Sequence, residues 1–172
     1  LTLNHHVYSS CRKRDVLILE SVKYIQVVTG SGTSLVLYIL YGNIGDSSGY
    51  VIKNNTLHKV TRDHTLVNLL VSTGELTEEE AKHHPRKNVL MRALGANDPI
   101  EIDIFDVDTT VKGLFLCSDG LTNMLTDEQI EKILNSNLSI EEAVVRLIRK
   151  SNSRGGTDNI SIAYLKKESG DL

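Results

Sequence analysis

The sequence predicts an α+β protein, a mainly antiparallel sheet covered by helices. Three observations predict it. Short β-type runs crowd the first half, capped helical periodicities fill much of the second, and hairpins replace a regular βαβ alternation. The elements follow in order. Val16–Leu19, Val22–Val28 and Leu35–Leu40 have the β-branched and aromatic content of strands. In "GYVIKNNTLHKVT", Tyr50–Ile52 and Leu57–Val60 flank an Asn54-Asn55 turn, a hairpin pattern. In "TLVNLLVSTG", Leu66, Val67, Leu70 and Val71 repeat at helical spacing, and Gly74 ends the run.

Thr77 with Glu80, Thr126 with Gln129, and Ser139 with Glu142 are three capping boxes, each marking a helix start. From Ile140, the residues Ala143, Val144, Leu147 and Ile148 continue one apolar face, with Arg146, Arg149 and Lys150 toward the C-terminal end. Gly155-Gly156 closes that helix. Leu114–Cys117 reads as a buried strand, and Ile160, Ile162 and Tyr164 alternate with smaller residues as another.

The chain has 172 residues, enough for one domain over 1–172 with a sizeable core. Hydrophobic residues at 40% and charged residues at 24% place it among globular proteins. Lys+Arg 19 against Asp+Glu 22 leaves a net charge of -3, so bulk electrostatics supply no attraction to nucleic acid or anionic membrane. Cys11 and Cys117 are too few for a disulfide framework, and Cys117 reads as a small core residue. No apolar run reaches membrane-spanning length, and "LTLNHHVYSSCRKRD" lacks signal-peptide organisation, so a cytoplasmic setting is expected. The start at Leu1 suggests a fragment, a processed form or part of a longer protein.

Asp119 follows one strand and Asp158 precedes another. If those strands are antiparallel neighbours, both carboxylates share one sheet edge. Two such carboxylates repel unless one binds a proton or a cation relieves them. Hard oxygen donors select Mg²⁺ or Mn²⁺ over zinc. Asp46 in "NIGDSSGY" is a third candidate in a similar setting. Asp-Gly and Gly-Asp are ordinary turn dipeptides, so each aspartate alone reads first as a turn. His5-His6 and His83-His84 read as solvated surface, His64 as a turn or cap residue, and Asp63 as a turn or helix start. Cys117 stands where an aspartate-nucleophile phosphatase needs the first aspartate of Asp-x-Asp, which excludes that chemistry.

The wording around the aspartates is more specific. "LCSDGLTNML", "RGGTDNISI", "IGDSSGYVI", "GSGTS" and "VTRDHTLVNLLVSTGELTEEEAKHHPRKNVLMRALG" together resemble, in order, the type 2C metal-dependent serine/threonine protein phosphatases, the PPM family, in their bacterial form. The similarity runs over about 30–165 and leaves 1–29 unassigned.

The resemblance implies a four-layer αββα sandwich of two antiparallel sheets flanked by helices, with its metal centre at one sheet edge. It implies that Asp119 and Asp158 are ligands of the first metal, and that Asp46 serves a third, weaker ion together with Asp119. Asn88 falls where a flap backbone group reaches that ion, and Arg86 and Lys87 of the flap could meet acidic or phosphorylated substrate. The implied activity is hydrolysis of phosphoserine and phosphothreonine in substrates of a serine/threonine kinase. Water activated by Mn²⁺ or Mg²⁺ would carry it out, with two, and in some members three, ions. No catalytic side chain is implied beyond the ligands.

The sequence also departs from the family. No Asp-Gly pair precedes Asp119, nothing in 1–29 matches the family's bridging carboxylate or phosphate-holding arginine, and Ser48 replaces the arginine after Gly-Asp-Ser. From Gly32 to Asp46 there is room for about one strand plus a turn, where the family usually fits two strands. These departures frame an alternative: a catalytically incomplete module that binds metal or phosphoprotein without turnover.

Overall fold

The computed structural model describes residues 6–10, 22–29, 32–93, 99, 101–107 and 110–166, with side chains from residue 42 onward. Among the described residues, eight strands form two sheets. The larger is built from β1 (His6–Ser10), β4 (Ser48–Lys53), β5 (Thr56–Lys59), β7 (Gly113–Cys117) and β8 (Ile160–Lys166), in the order β1-β8-β7-β4-β5. The smaller holds β2 (Val22–Thr29), β3 (Gly32–Asn43) and β6 (Asp103–Val107), in the order β2-β3-β6. Every pairing is antiparallel. The helices are α1 (Leu66–Ser72), α2 (Glu78–His83), α3 (Asp119–Thr122), α4 (Asp127–Leu134) and α5 (Ile140–Ser153).

Alternation along the strands sorts side chains into two cores. Tyr50, Ile52, Phe115, Cys117, Ile160, Ile162 and Tyr164 face the helices, where Ile130, Ile133, Val144 and Leu147 of α4 and α5 cover them. Phe115 sits between two tyrosines, its ring centroid 6.1 Å from Tyr50 and 5.9 Å from Tyr164. The intervening residues Val51, Leu114 and Leu116 turn the other way and meet Val107 and Phe105 of the second sheet. A helix layer, the five-stranded sheet and the three-stranded sheet are thus stacked in turn. This bears out the expected architecture of two antiparallel sheets with flanking helices. On the far side of β6, Ile104 is 68% exposed, and no described helix covers it.

Local chemistry explains most element ends. Asn54 and Asn55 have φ of 53° and 64°, the left-handed pair that a two-residue hairpin turn requires. Thr65 caps α1, and Gly74 ends it in a Schellman motif, with Gly74 N donating to Val71 O and Glu75 N to Leu70 O. The capping boxes at Thr77 and Ser139 form as expected, and that at Thr126 is looser, its return bond 3.4 Å long. The stretch from Gly32 carries one twelve-residue strand, as its length suggested. Strands β1 and β6 were not anticipated, and Val16–Leu19 lies outside the described residues.

Candidate metal edge

The site is built at one end of three neighbouring strands. Ser48 of β4 pairs with Cys117 of β7, and Cys117 with Ile162 of β8. Beyond Cys117 the ladder continues, with Ser118 N donating to Ser161 O at 3.0 Å. The buried Ser118 hydroxyl then stitches the two chains: it donates to Asn159 O at 2.8 Å and accepts from Ser161 N at 3.0 Å. Gly120 closes the contact. A Cβ there would lie 2.3 Å from Asn159 O and 3.3 Å from Asp158 C, so only glycine permits this approach. Asp119 and Asp158 therefore flank a backbone contact across the edge of β7 and β8. On the other side of β7, Ser48 opposite Cys117 is the last pair of the ladder, and Asp46 lies two residues before it in the turn.

The aspartates are held differently. Asp119 opens α3 and accepts a hydrogen bond from Asn123 Nδ2 at 3.1 Å. Asp158 is exposed, and its Oδ1 accepts from the Asn159 N–H at 2.7 Å, which orients it locally. Asp46 is half-buried in the turn joining β3 to β4, beside Gly45, whose φ of 102° suits glycine.

As a donor set these residues fit a hard divalent cation in kind: all are carboxylates. Cys117, the nearest soft donor in sequence, is fully buried in the helix-side core, and burial pushes its thiol up, far from the thiolate a metal needs. The set is partial, since no three His, Cys, Asp or Glu side chains gather as a metal site among the described residues.

The turn carrying Asp46 is tied to the segment entering α1. Asn43 Nδ2 donates to Arg62 O at 3.0 Å, His64 N to Gly45 O at 2.8 Å, and Gly45 N to His64 Nδ1 at 3.2 Å. His64 Nε2 lies 3.1 Å from Asp103 Oδ2, and Arg92 binds both Asp103 and Glu101 at 3.0 Å. The His64 hydrogen bond, and after it the charge of Arg92, hold the Asp103 carboxyl below its ordinary value. His64 is thus neither the turn nor the cap residue expected. It is buried, and Thr65 is the cap. Asp63 does not start the helix either; it pairs with Lys59 at 2.8 Å. The roles of His64, Asp103 and Ser118 leave no local pattern, because their partners lie 19 to 43 residues away; Arg92 pairs nearer, with Asp103 at a separation of 11.

The flap leaves and returns beside His64. Leu66 N donates to Val89 O at 2.8 Å, Met91 N to His64 O at 2.7 Å, and Thr65 bridges to Leu90. Arg86, Lys87 and Asn88 are exposed on the turn after α2. His83 is exposed as expected, whereas His84 caps α2; the side chains of His5 and His6 lie outside the described residues. Among the described residues, no helix is long and apolar enough to cross a membrane.

No protein-family model matches the chain. Individual relatives do. The serine/threonine phosphatase stp of Listeria welshimeri is 46% identical over 162 residues, which are 90% of this chain and 63% of that protein. The crystal structure of the serine/threonine phosphatase Stp1 from Staphylococcus aureus superposes with a TM-score of 0.73 at 31% identity, covering 80% of this chain and 55% of the other. The catalytic domain of the serine threonine protein phosphatase PstP, solved in complex with two manganese ions, gives a TM-score of 0.60 at 31% identity over 80% of this chain and 59% of its own. The chain spans less than two thirds of the length of the curated relatives it matches. Over the length that it spans, this chain belongs with the bacterial PPM-type serine/threonine phosphatases.

Proposed function

We propose that the chain forms the metal-binding edge of a protein serine/threonine phosphatase that hydrolyses phosphoserine and phosphothreonine. One observation carries the reading: Gly120 lies against the Asp158–Asn159 peptide and so sets Asp119 and Asp158 on either side of one backbone contact. Asp119 and Asp158 would hold one ion, and Asp46 with Asp119 another, with Mn²⁺ or Mg²⁺ the cations these donors suit. When bound, such ions offset phosphoryl charge and make water a nucleophile near neutral pH. The solved relative with two manganese ions supports this choice of cofactor.

The chain's own residues then orient and recruit. Asn123 holds the Asp119 carboxylate in place, and the Ser118 hydroxyl keeps the two strand ends together. The exposed cations Arg86 and Lys87 suit a phosphorylated or acidic substrate segment, with Asn88 beside them on the flap. The partners in this reading are phosphoproteins made by a serine/threonine kinase, the compartment is the cytoplasm, and 1–172 is one phosphatase-like domain. The comparisons add nothing to the alternative of a binding module without turnover.

The test is hydrolysis of p-nitrophenyl phosphate and of a phosphothreonine peptide, with and without Mn²⁺, beside Asp119→Asn. Metal-dependent turnover lost in the variant supports the reading. Turnover no higher than that of the variant overturns it for this chain.

A further inference from the structure

His64 is a buried polar side chain that the proposed reaction does not use. It sits where three parts of the fold meet: the turn crossing from β3 in one sheet to β4 in the other, the flap base, and β6. A backbone N–H can only donate, so the bond from Gly45 N makes Nδ1 the unprotonated nitrogen. Nε2 then carries the ring hydrogen and donates it to Asp103 Oδ2. Arg92 Nη1 also lies 3.5 Å from Nε2, but its hydrogen goes to Asp103 Oδ1 at 3.0 Å, where an acceptor is present. Both ring nitrogens are therefore committed, one to the Asp46 turn and one to the second sheet. The backbone of His64 adds a bond each way, donating to Gly45 O and accepting from Met91 N.

We infer that His64 is a positioning residue: its imidazole clamps the Gly45–Asp46 turn to Asp103, fixing the loop that carries Asp46 relative to the edge at Asp119. This rests on the proposed reading of Asp46 as a metal ligand. The turn needs such a clamp because it changes sheets. Neither ladder extends through it, and the backbone of Gly45 is held by His64 instead, its N–H by the ring and its carbonyl by the His64 N–H. Asp103 lies beside this crossing because it pairs with Asn43, the last residue of β3.

The experiment uses the full chain, with amide hydrogen exchange at residues 44–46 and a titration with Mn²⁺ alone as two separate readouts. The variants are His64→Ala, His64→Asn, Asp103→Ala and Asp46→Asn. Losing one hydrogen bond of the clamp should speed Gly45 exchange about tenfold in His64→Ala and in Asp103→Ala, with Phe115 unchanged. Outer-shell losses of this kind weaken metal binding by roughly tenfold or more. That loss should vanish in the Asp46→Asn background, because it acts through Asp46.

His64→Asn places an amide oxygen near Nδ1 and should restore much of the Gly45 protection. Unchanged Gly45 exchange in Asp103→Ala overturns the clamp, and so does a Mn²⁺ loss that adds in full to that of Asp46→Asn. Faster exchange in a chain that binds no Mn²⁺ supports the clamp and overturns the ligand reading of Asp46. Should His64→Ala fail to fold, the partly exposed Asp103 decides alone.

Discussion

Gly120 lies so close to Asn159 that a Cβ on the glycine would come within 2.3 Å of the asparagine's carbonyl oxygen. The neighbour is backbone, fixed between Ser118 and β8, and has no rotamer by which to yield. Gly120→Ala is therefore expected to destabilise the protein by about 1–3 kcal/mol, the usual cost of overpacking a tight site. Thermal melting checks it. Mn²⁺ affinity should fall as well, since the added methyl group pushes apart the segments bearing Asp119 and Asp158.

Ser118 is the complementary case. Its hydroxyl satisfies Asn159 O and Ser161 N at once, in a buried setting. Ser118→Ala leaves both groups short of a partner and should cost about 1–3 kcal/mol. Urea unfolding should show a lower midpoint with an unchanged slope, because the same surface is exposed on unfolding.

The acid limb of stability should depend on Asp103. The His64 hydrogen bond, and after it the charge of Arg92, favour the ionised carboxylate, so the folded state titrates below the ordinary value of 3.8. Its contribution is present above that ordinary value and is lost as pH falls through the lower folded-state value. As pH falls from about 5 to below 3.8, the melting temperature of Asp103→Asn should fall less steeply than that of the unaltered chain. Parallel curves would show that Asp103 contributes nothing to acid stability.

Helix α5 supplies Ala143, Val144 and Leu147 to the core, so its start is coupled to global stability. Ser139 accepts from Glu142 N at 3.1 Å, and Glu142 returns a bond from Ser139 N at 2.9 Å. Ser139→Ala should lower stability by about 1 kcal/mol, read by circular dichroism on heating.

Elements written by neighbouring residues were legible in the sequence. The Asn54-Asn55 hairpin and the boxes at Thr77 and Ser139 need only three or four residues to declare themselves, and all formed. Strand β6 did not declare itself, because Asp103 and Asp106 interrupt a short apolar alternation whose inward members are Phe105 and Val107. Strand β1 is defined by pairing with β8, some 150 residues away, which no local pattern records. At the candidate site, the glycines and strand ends drew notice to the aspartates, but each read first as a turn, and only the family resemblance singled them out as ligands. His64 could not. Its partners Gly45 and Asp103 lie 19 and 39 residues away, and only the crossing between sheets brings them together.

Cys117 has no exposed surface at all, yet it stands two residues before Asp119. While the sheet is closed, a thiol-reactive reagent has no path to it, and burial keeps the sulfur protonated and unreactive. Labelling can proceed only in molecules where the strand has momentarily come away. In the regime of rapid reclosing, the labelling rate measures the free energy of that opening. The chain thus carries a built-in clock beside its candidate metal edge, and mass analysis of the peptide containing residue 117 would time how often the edge comes apart.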